Sequence, residues 1–510
     1  MTKIKWGLTL TCFTLVLLLG VCAVLMPDQT KGTMDLLFNF TIFNLGAGFL
    51  WYILFGTLIM LLLAFSKYGN ICLGGTKPQF NKFQLFAMAL SAGMGASTMY
   101  WGFIEVVYYY LDPQFGITDP GMKMEYASAY NMFHWGPAGW VSYLMCGVPF
   151  MISFYLKKNR DMSFSGVINS FFDGKLPYLA QKIIDLLFMI TSLAATALTL
   201  GLAIPMISSV VSQLTGLRND ITLGIGIIIG LSIIFALSSY VGIEKGIARL
   251  SSMTVYICGA MIVIILLVGP TAFLINSTTT AMGLTVAEYL RMSTNTAPYG
   301  TTGFPQYWTV FFFANWISYA PGMGIFITKI AKGHKLKDVI IILTGAGFIG
   351  TSLIFGICGN FTFSLMNEGI VDATGLIEAG MPDQLVTAVL SSTPFPTLML
   401  GIYLITMILF CVTTLDGTSF SLASVASEKV GEDGNVSPLF RLFWCLLLAI
   451  IPIIFLIIKA DLNILKSFPV LIIVPMIPIF TILLYKSYSF ISKEFGELTD
   501  IEIQKITAEE

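Results

Sequence analysis

The sequence predicts an all-α polytopic membrane protein. It should have twelve transmembrane helices, the last ten arranged as two inverted five-helix repeats. Three observations predict this. Of 510 residues, 56% are hydrophobic and only 11% charged, with a mean hydropathy of +0.84; soluble domains carry about 25% charged residues. Apolar runs long enough to cross the hydrocarbon core, roughly 20 residues, recur along the chain. Gly-Met-Gly also occurs inside two of these runs, in Ser91-Ala92-Gly93-Met94-Gly95-Ala96 and in Ala320-Pro321-Gly322-Met323-Gly324.

The spans fall at 6–26, 46–66, 84–110, 136–156, 183–212, 221–241, 252–276, 306–330, 338–363, 397–424, 440–458 and 466–486. The first lacks a small-residue cleavage site and reads as a membrane helix rather than a signal peptide. With the N-terminus inside, inner segments hold 21 of the 27 Lys and Arg residues and outer ones hold 6. That positive-inside bias places both termini in the cytoplasm. Residues 1–83 carry two additional N-terminal helices, 84–303 the first repeat, 304–490 the second, and 491–510 a short cytoplasmic tail. Five is odd, so the second repeat must run opposite to the first, as in many secondary transporters. The stretch 277–297 is too polar to span and is expected as an interfacial helix on the outer face. The tail ends Thr507-Ala508-Glu509-Glu510 without a basic cluster. Little response to osmolality is therefore expected.

Composition also excludes classes. A net charge of −1 argues against a nucleic-acid partner. The eight cysteines form no CxxC pair, and two histidines, His134 and His334, cannot build a multi-histidine metal site. The chain carries no phosphate-binding loop, HExxH or GxSxG signature, so it is not expected to be an enzyme or to hold an organic cofactor. A channel is the other rival, and saturable flux would separate it from a carrier.

Each glycine weakens a helix by about 1 kcal/mol, and Pro321 lacks a backbone donor. Both Gly-Met-Gly sites are therefore expected to interrupt their helices. Interrupted spans at matching places in two halves point to a substrate site. Aromatics cluster there. Trp101, Tyr108, Tyr109 and Tyr110 lie on the third span; His134-Trp135-Gly136-Pro137, Trp140 and Tyr143 open the fourth. Trp308, Phe312, Trp316, Tyr319 and Met323 form one stripe on the eighth. Such rings suit a quaternary ammonium, which has no N–H to donate and binds ring faces by cation–π attraction, about 2 kcal/mol per ring when desolvated. Within the spans Glu105, Asp185 and Asp416 are ionisable, which marks functional candidates. Asp185 is expected to favour the dipole of its own helix start. Around Asp416, Thr413, Thr414 and Thr418 offer oxygens that suit a monovalent cation or interhelical hydrogen bonds.

From about residue 45 to 470 the sequence resembles the betaine/carnitine/choline transporters. The resemblance rests on Tyr100-Trp101-Gly102-Phe103-Ile104-Glu105, Phe133-His134-Trp135-Gly136-Pro137, Gly242-Ile243-Glu244-Lys245-Gly246-Ile247 and Gly303-Phe304-Pro305-Gln306-Tyr307-Trp308-Thr309-Val310-Phe311. The aromatic blocks are most similar to the carnitine/γ-butyrobetaine exchangers. The resemblance implies a LeuT-type fold, a homotrimer in the bacterial inner membrane, and an aromatic box for a trimethylammonium head. Its matching positions are Trp135, Trp140, Tyr143 and Trp316, with Tyr108, Tyr319 and Met323 nearby. It also implies, in sodium-coupled members, an ion between Ser91, Met94, Phe410, Thr413 and Thr414. Two departures stand out. Asn315 replaces a family tryptophan beside Trp316, and Thr254 stands where sodium-independent exchangers carry arginine. The expectation is sodium-coupled uptake of a small quaternary-ammonium zwitterion such as glycine betaine or carnitine. The alternatives are a sodium-independent exchanger and a carrier of a less methylated amine.

Overall fold

The computed structural model describes residues 3–93, 95–241, 248–300, 302–430, 436–458 and 462–509. Met94 and the 242–247 block, both singled out above, lie outside the described residues. The fold is all-α, and no strand forms among the described residues. The N-terminal helices are α1 (Trp6–Leu25), α2 (Pro27–Asn44) and α3 (Gly46–Phe65). The short α2 separates the first two spans and starts on Pro27, where proline's missing N–H costs nothing.

In the third span, α4 (Lys82–Gly93) and α5 (Gly95–Leu111) lie on either side of Met94, which is outside the described residues. Next come α6 (Pro120–His134) and α7 (Pro137–Met151). Asp119 caps α6 by accepting the Met122 N–H at 2.8 Å. Gly136-Pro137 separates the two helices, with Pro137 in the first turn of α7. Short α8 (Phe164–Phe171) leads to the long α9 (Tyr178–Thr215), followed by α10 (Ile221–Val241) and α11 (Ala248–Val268). The polar stretch forms α12 (Thr271–Ala287) and α13 (Tyr289–Thr294). A π-helical turn, Pro305–Val310, runs into α14 (Phe311–Ile330). Then follow α15 (Leu336–Ile341), α16 (Gly347–Asn367), α17 (Ala373–Glu378), α18 (Pro382–Ser391), α19 (Pro396–Val425) and α20 (Pro438–Ile458). The chain ends with α21 (Leu462–Ile473), α22 (Met476–Phe495) and α23 (Asp500–Glu509).

Eight described helical segments are long and apolar enough to cross a membrane, and α21 with α22, bent by 45°, makes a ninth. The remaining predicted spans coincide with the α4–α5 pair, α10 and α20.

Two expectations need correction. The second Gly-Met-Gly does not break its helix: α14 is continuous through Pro321, Gly322 and Gly324. Its glycine serves a close crossing instead. A Cβ on Gly324 would sit 3.1 Å from Gly147 N and 3.2 Å from Cys146 Sγ, both on α7. Ser421 of α19 donates to Gly322 O at 2.7 Å, so a neighbouring helix supports the backbone beside the proline. Asp185 does not act at its own helix start. It lies two turns into α9 and caps α8 instead, accepting the Ser165 N–H and O–H, each at 2.8 Å, with Lys5 Nζ at 3.8 Å.

Candidate substrate site

Trp316, in the second turn of α14, is the hub of the site. Its ring centroid lies 5.5 Å from that of Trp135, 5.4 Å from Trp140 and 5.0 Å from Tyr143. Trp140 and Tyr143 meet edge to face at 6.0 Å. All four rings are fully buried. Three glycines make room for them. A Cβ would lie 2.9 Å from the Tyr143 ring at Gly93, 2.4 Å from the Trp316 ring at Gly139, and 2.6 Å from the Trp140 ring at Gly347. Gly93, at the end of α4, thus gives Tyr143 its seat. Trp140 Nε1, Tyr143 OH and Asn315 Oδ1 are buried without hydrogen-bond partners among the described residues. The box therefore combines ring faces with unused polar atoms, as a site for an ammonium with a polar tail requires.

The two central rings are fixed by a buried network. Trp135 Nε1 donates to Glu105 Oε2 at 2.8 Å, and Trp316 Nε1 donates to His134 O at 2.9 Å. Tyr109 OH lies 2.6 Å from Glu105 Oε1 and 2.7 Å from His134 Nδ1, while His134 Nε2 lies 3.0 Å from Thr309 Oγ1. Two proton assignments satisfy every member. In one, ionised Glu105 accepts from Trp135 and Tyr109 while His134 donates from Nδ1 to Tyr109 and accepts from Thr309. In the other, protonated Glu105 donates to Tyr109, Tyr109 donates to His134 Nδ1 and His134 Nε2–H donates to Thr309. Sequence reasoning singled out Glu105 as ionisable but not its indole partner.

The other predicted substrate residues spread out. Tyr108 joins a second ring cluster with Trp101 at 6.1 Å and Trp308 at 5.2 Å. That cluster reaches the box through Phe312, which stacks 6.5 Å from Trp308 and meets Trp135 at 5.8 Å. Tyr319 turns toward α9. Its hydroxyl donates to Ala195 O at 2.7 Å and contacts Thr199 Oγ1. Met323 is buried one turn further along α14. Two box neighbours went unpredicted. Phe355 of α16 stacks on Trp135 at 4.6 Å, and Thr351 donates to Trp135 O at 2.8 Å. Nothing local in their sequence signals this.

At the mouth of the second cluster, burial pushes the Asp112 carboxyl above its ordinary range, against hydrogen bonds from Thr302 and Trp308.

The predicted ion-site residues converge where α19 crosses α4. Thr413 Oγ1 and Thr414 Oγ1 each lie 3.2 Å from Ser91 O, and Thr413 Oγ1 is 3.1 Å from Phe410 O. Ser91 Oγ is buried and has no partner among the described residues. The Phe410 ring lies against Gly95, where a Cβ would meet it at 2.1 Å. Thr254 hydrogen-bonds within its own helix, to Leu250 O at 2.8 Å. Asp416 pairs with Arg441 of α20 at 3.1 Å.

The model of the BCCT family, betaine/carnitine/choline family transporters, matches residues 8–496. The chain belongs to this family. As a family member it is a multi-pass membrane transporter. It is 32% identical over 437 residues to the carnitine transporter of Acinetobacter baumannii, covering 86% of this chain and 80% of that protein. It is 33% identical over 449 residues to the uncharacterized transporter YeaV of Escherichia coli, covering 88% and 93%. With the betaine/ectoine transporter LcoP of Corynebacterium glutamicum it shares 29% over 488 residues, covering 92% and 76%. The four box rings, Glu105 and the Ser91–Thr413–Thr414 cluster of this transporter all lie inside the matched region.

Proposed function

We propose that this transporter carries a small quaternary-ammonium zwitterion, of the carnitine or glycine betaine type, inward with sodium. The observation that carries this reading is the convergence of Trp135, Trp140 and Tyr143 on Trp316. A trimethylammonium group offers no N–H, and ring faces are the chemistry that holds it. The relatives named for carnitine and for betaine and ectoine support the substrate class. Glu105, one indole away from the box, adds a buried acceptor that fixes Trp135.

Sodium enters the reading as a co-transported substrate. Ser91 O, the orphaned Ser91 Oγ, and the Thr413 and Thr414 hydroxyls form an all-oxygen cluster between α4 and α19. Transporters build sodium sites from oxygens of this kind beside a helix break. Moving one charge inward is worth about 2.3 kcal/mol per 100 mV, enough to concentrate a neutral zwitterion tens-fold. The reading includes two inverted five-helix halves, a homotrimer in the bacterial inner membrane, and both termini cytoplasmic. The Trp308 end of α14 then faces outward.

Two measurements test it. Tryptophan-fluorescence titration with glycine betaine, carnitine, γ-butyrobetaine and choline should show saturable binding. Trp316→Ala should weaken it by about 30-fold, the scale of one cation–π contact near 2 kcal/mol, and Trp316→Phe should retain part. An Ala variant binding as tightly as the parent removes α14 from the site. In proteoliposomes a sodium gradient should drive uptake, and Thr413→Ala with Thr414→Ala should abolish the stimulation. Counterflow that is equal with and without sodium, with no accumulation, would make the chain a substrate/product exchanger.

A further inference from the structure

A buried ammonium sits at the far end of the ring ladder, and the box does not use it. Lys466, on α21, is 3% exposed. Its Nζ lies 3.6 Å from the Trp308 ring centroid and 4.6 Å from that of Phe311. It donates to Tyr307 O at 3.3 Å, its one hydrogen-bond acceptor among the described residues. An ammonium has three donors, so two remain to be used. Asp112 and Glu105 lie within its electrostatic reach, yet neither forms an ion pair with it among the described residues.

The position of this ammonium matters because Trp308 begins a continuous path of rings. Trp308 stacks on Phe312, Phe312 meets Trp135, and Trp135 meets Trp316. Eight residues of helix separate Trp308 from Trp316, about 12 Å at 1.5 Å per residue, which is longer than a small betaine. Lys466 therefore cannot hold the tail of a molecule whose head is already in the box. It meets the molecule on the way in.

We propose that Lys466 is the specificity-determining residue of the outer path, reading the carboxylate of the arriving zwitterion. This rests on the reading that the substrate's ammonium is bound for the Trp316 box. The two N–H donors of Lys466 that have no acceptor among the described residues are the complement of a carboxylate, by a charge-assisted hydrogen bond. A positive charge on the lysine also works against an amine that carries no carboxylate, so selectivity has both an attractive and a repulsive part. Trp308 holds the lysine in place from below, and its face is already taken by that ammonium.

The test uses glycine betaine, its methyl ester and choline, which share one trimethylammonium head and differ in the carboxylate. Binding is followed by tryptophan fluorescence and uptake by proteoliposomes, on the full-length protein. The parent should prefer glycine betaine by roughly tenfold or more, the scale of one charge-assisted hydrogen bond. Lys466→Met should bring the three compounds within about twofold, the contrast expected when that bond is lost. It should do so by losing glycine betaine rather than by losing all three. Lys466→Arg should keep the preference, and Lys466→Gln should fall between. A parent with no preference for the carboxylate overturns the proposal without any variant. So does a Lys466→Met or Lys466→Gln protein that keeps the parent's ratio, which would leave Lys466 as a tie between α21 and α14. Failure of the underlying reading looks different: none of the three compounds would bind saturably, and Trp316→Ala would change nothing.

Discussion

Gly139→Ala should reverse the usual sign of a glycine-to-alanine change in a helix. Alanine ordinarily stabilises a helix over glycine by up to about 1 kcal/mol. At this position the new Cβ would lie 2.4 Å from Trp316 Cε2, 2.7 Å from Nε1 and 2.8 Å from Cδ2. Carbon contacts settle near 3.5–4.0 Å, so the indole must retreat by about 1 Å. Its hydrogen bond to His134 O, now 2.9 Å, then passes out of range, which costs about 1 kcal/mol. Contacts with Trp135, Trp140 and Tyr143, each at 5.0–5.5 Å between centroids, also loosen, at about 0.5–1.5 kcal/mol per ring pair. The net expectation is a loss of about 1–3 kcal/mol in stability, typical of overpacking. The displaced ring also forfeits much of its share of cation–π attraction, so Kd should rise by about tenfold. Thermal unfolding in detergent and fluorescence titration with glycine betaine and carnitine measure both. Gly226→Ala on α10, where a Cβ meets nothing within 4 Å, is the control and should be neutral or stabilising. A Gly139→Ala protein with a raised Tm and unchanged affinity would refute the placement of Trp316 against α7.

Asn315→Trp should shift preference toward fully methylated amines, because it exchanges a buried, unpartnered amide oxygen for a ring face. An unchanged ranking across the substrate panel would mean that Asn315 does not face the substrate. Asp416→Ala should destabilise by about 3 kcal/mol, since it leaves the buried Arg441 guanidinium unpaired, while Asp416→Ala with Arg441→Met should recover most of the loss. Equal melting of the single and double variants would argue against a coupled pair. His334, on the turn before α15, has its pKa lowered by burial and sits 2.8 Å from Phe80 O. The unfolded chain therefore binds a proton more readily than the fold does. This contribution to stability is present above pH 6.5 and lost as pH falls below it. His334→Gln should flatten the Tm profile between pH 7 and 5, and an unchanged acid slope would assign that slope to other groups.

What the sequence determines by itself about this protein is what the bilayer imposes on each segment separately. Hydrocarbon requires about 20 apolar residues per span, and the uneven sharing of Lys and Arg between alternate loops requires no folded contact to read. The rings of the box were also legible. Trp140 and Tyr143 share a face of one helix, and Trp316 belongs to a stripe on another. Periodicity says which side of a helix a residue occupies, but not which helix meets that side. That is why Tyr108 and Tyr319, on equally plausible faces, lie outside the four-ring cluster: one meets Trp308, the other hydrogen-bonds to α9. The two Gly-Met-Gly motifs read alike in sequence. One places Gly93 against Tyr143, and the other lets α7 and α14 cross closely. Only the partner surface distinguishes them. The same holds for Glu105, Asp185 and Lys466. A charge buried in a membrane protein must find a partner, and each partner here comes from a distant part of the chain: the Trp135 indole, the start of α8, and the face of Trp308. Tertiary packing chose those partners, because hydrogen bonds and ring contacts act over a few ångströms in space and not along the sequence.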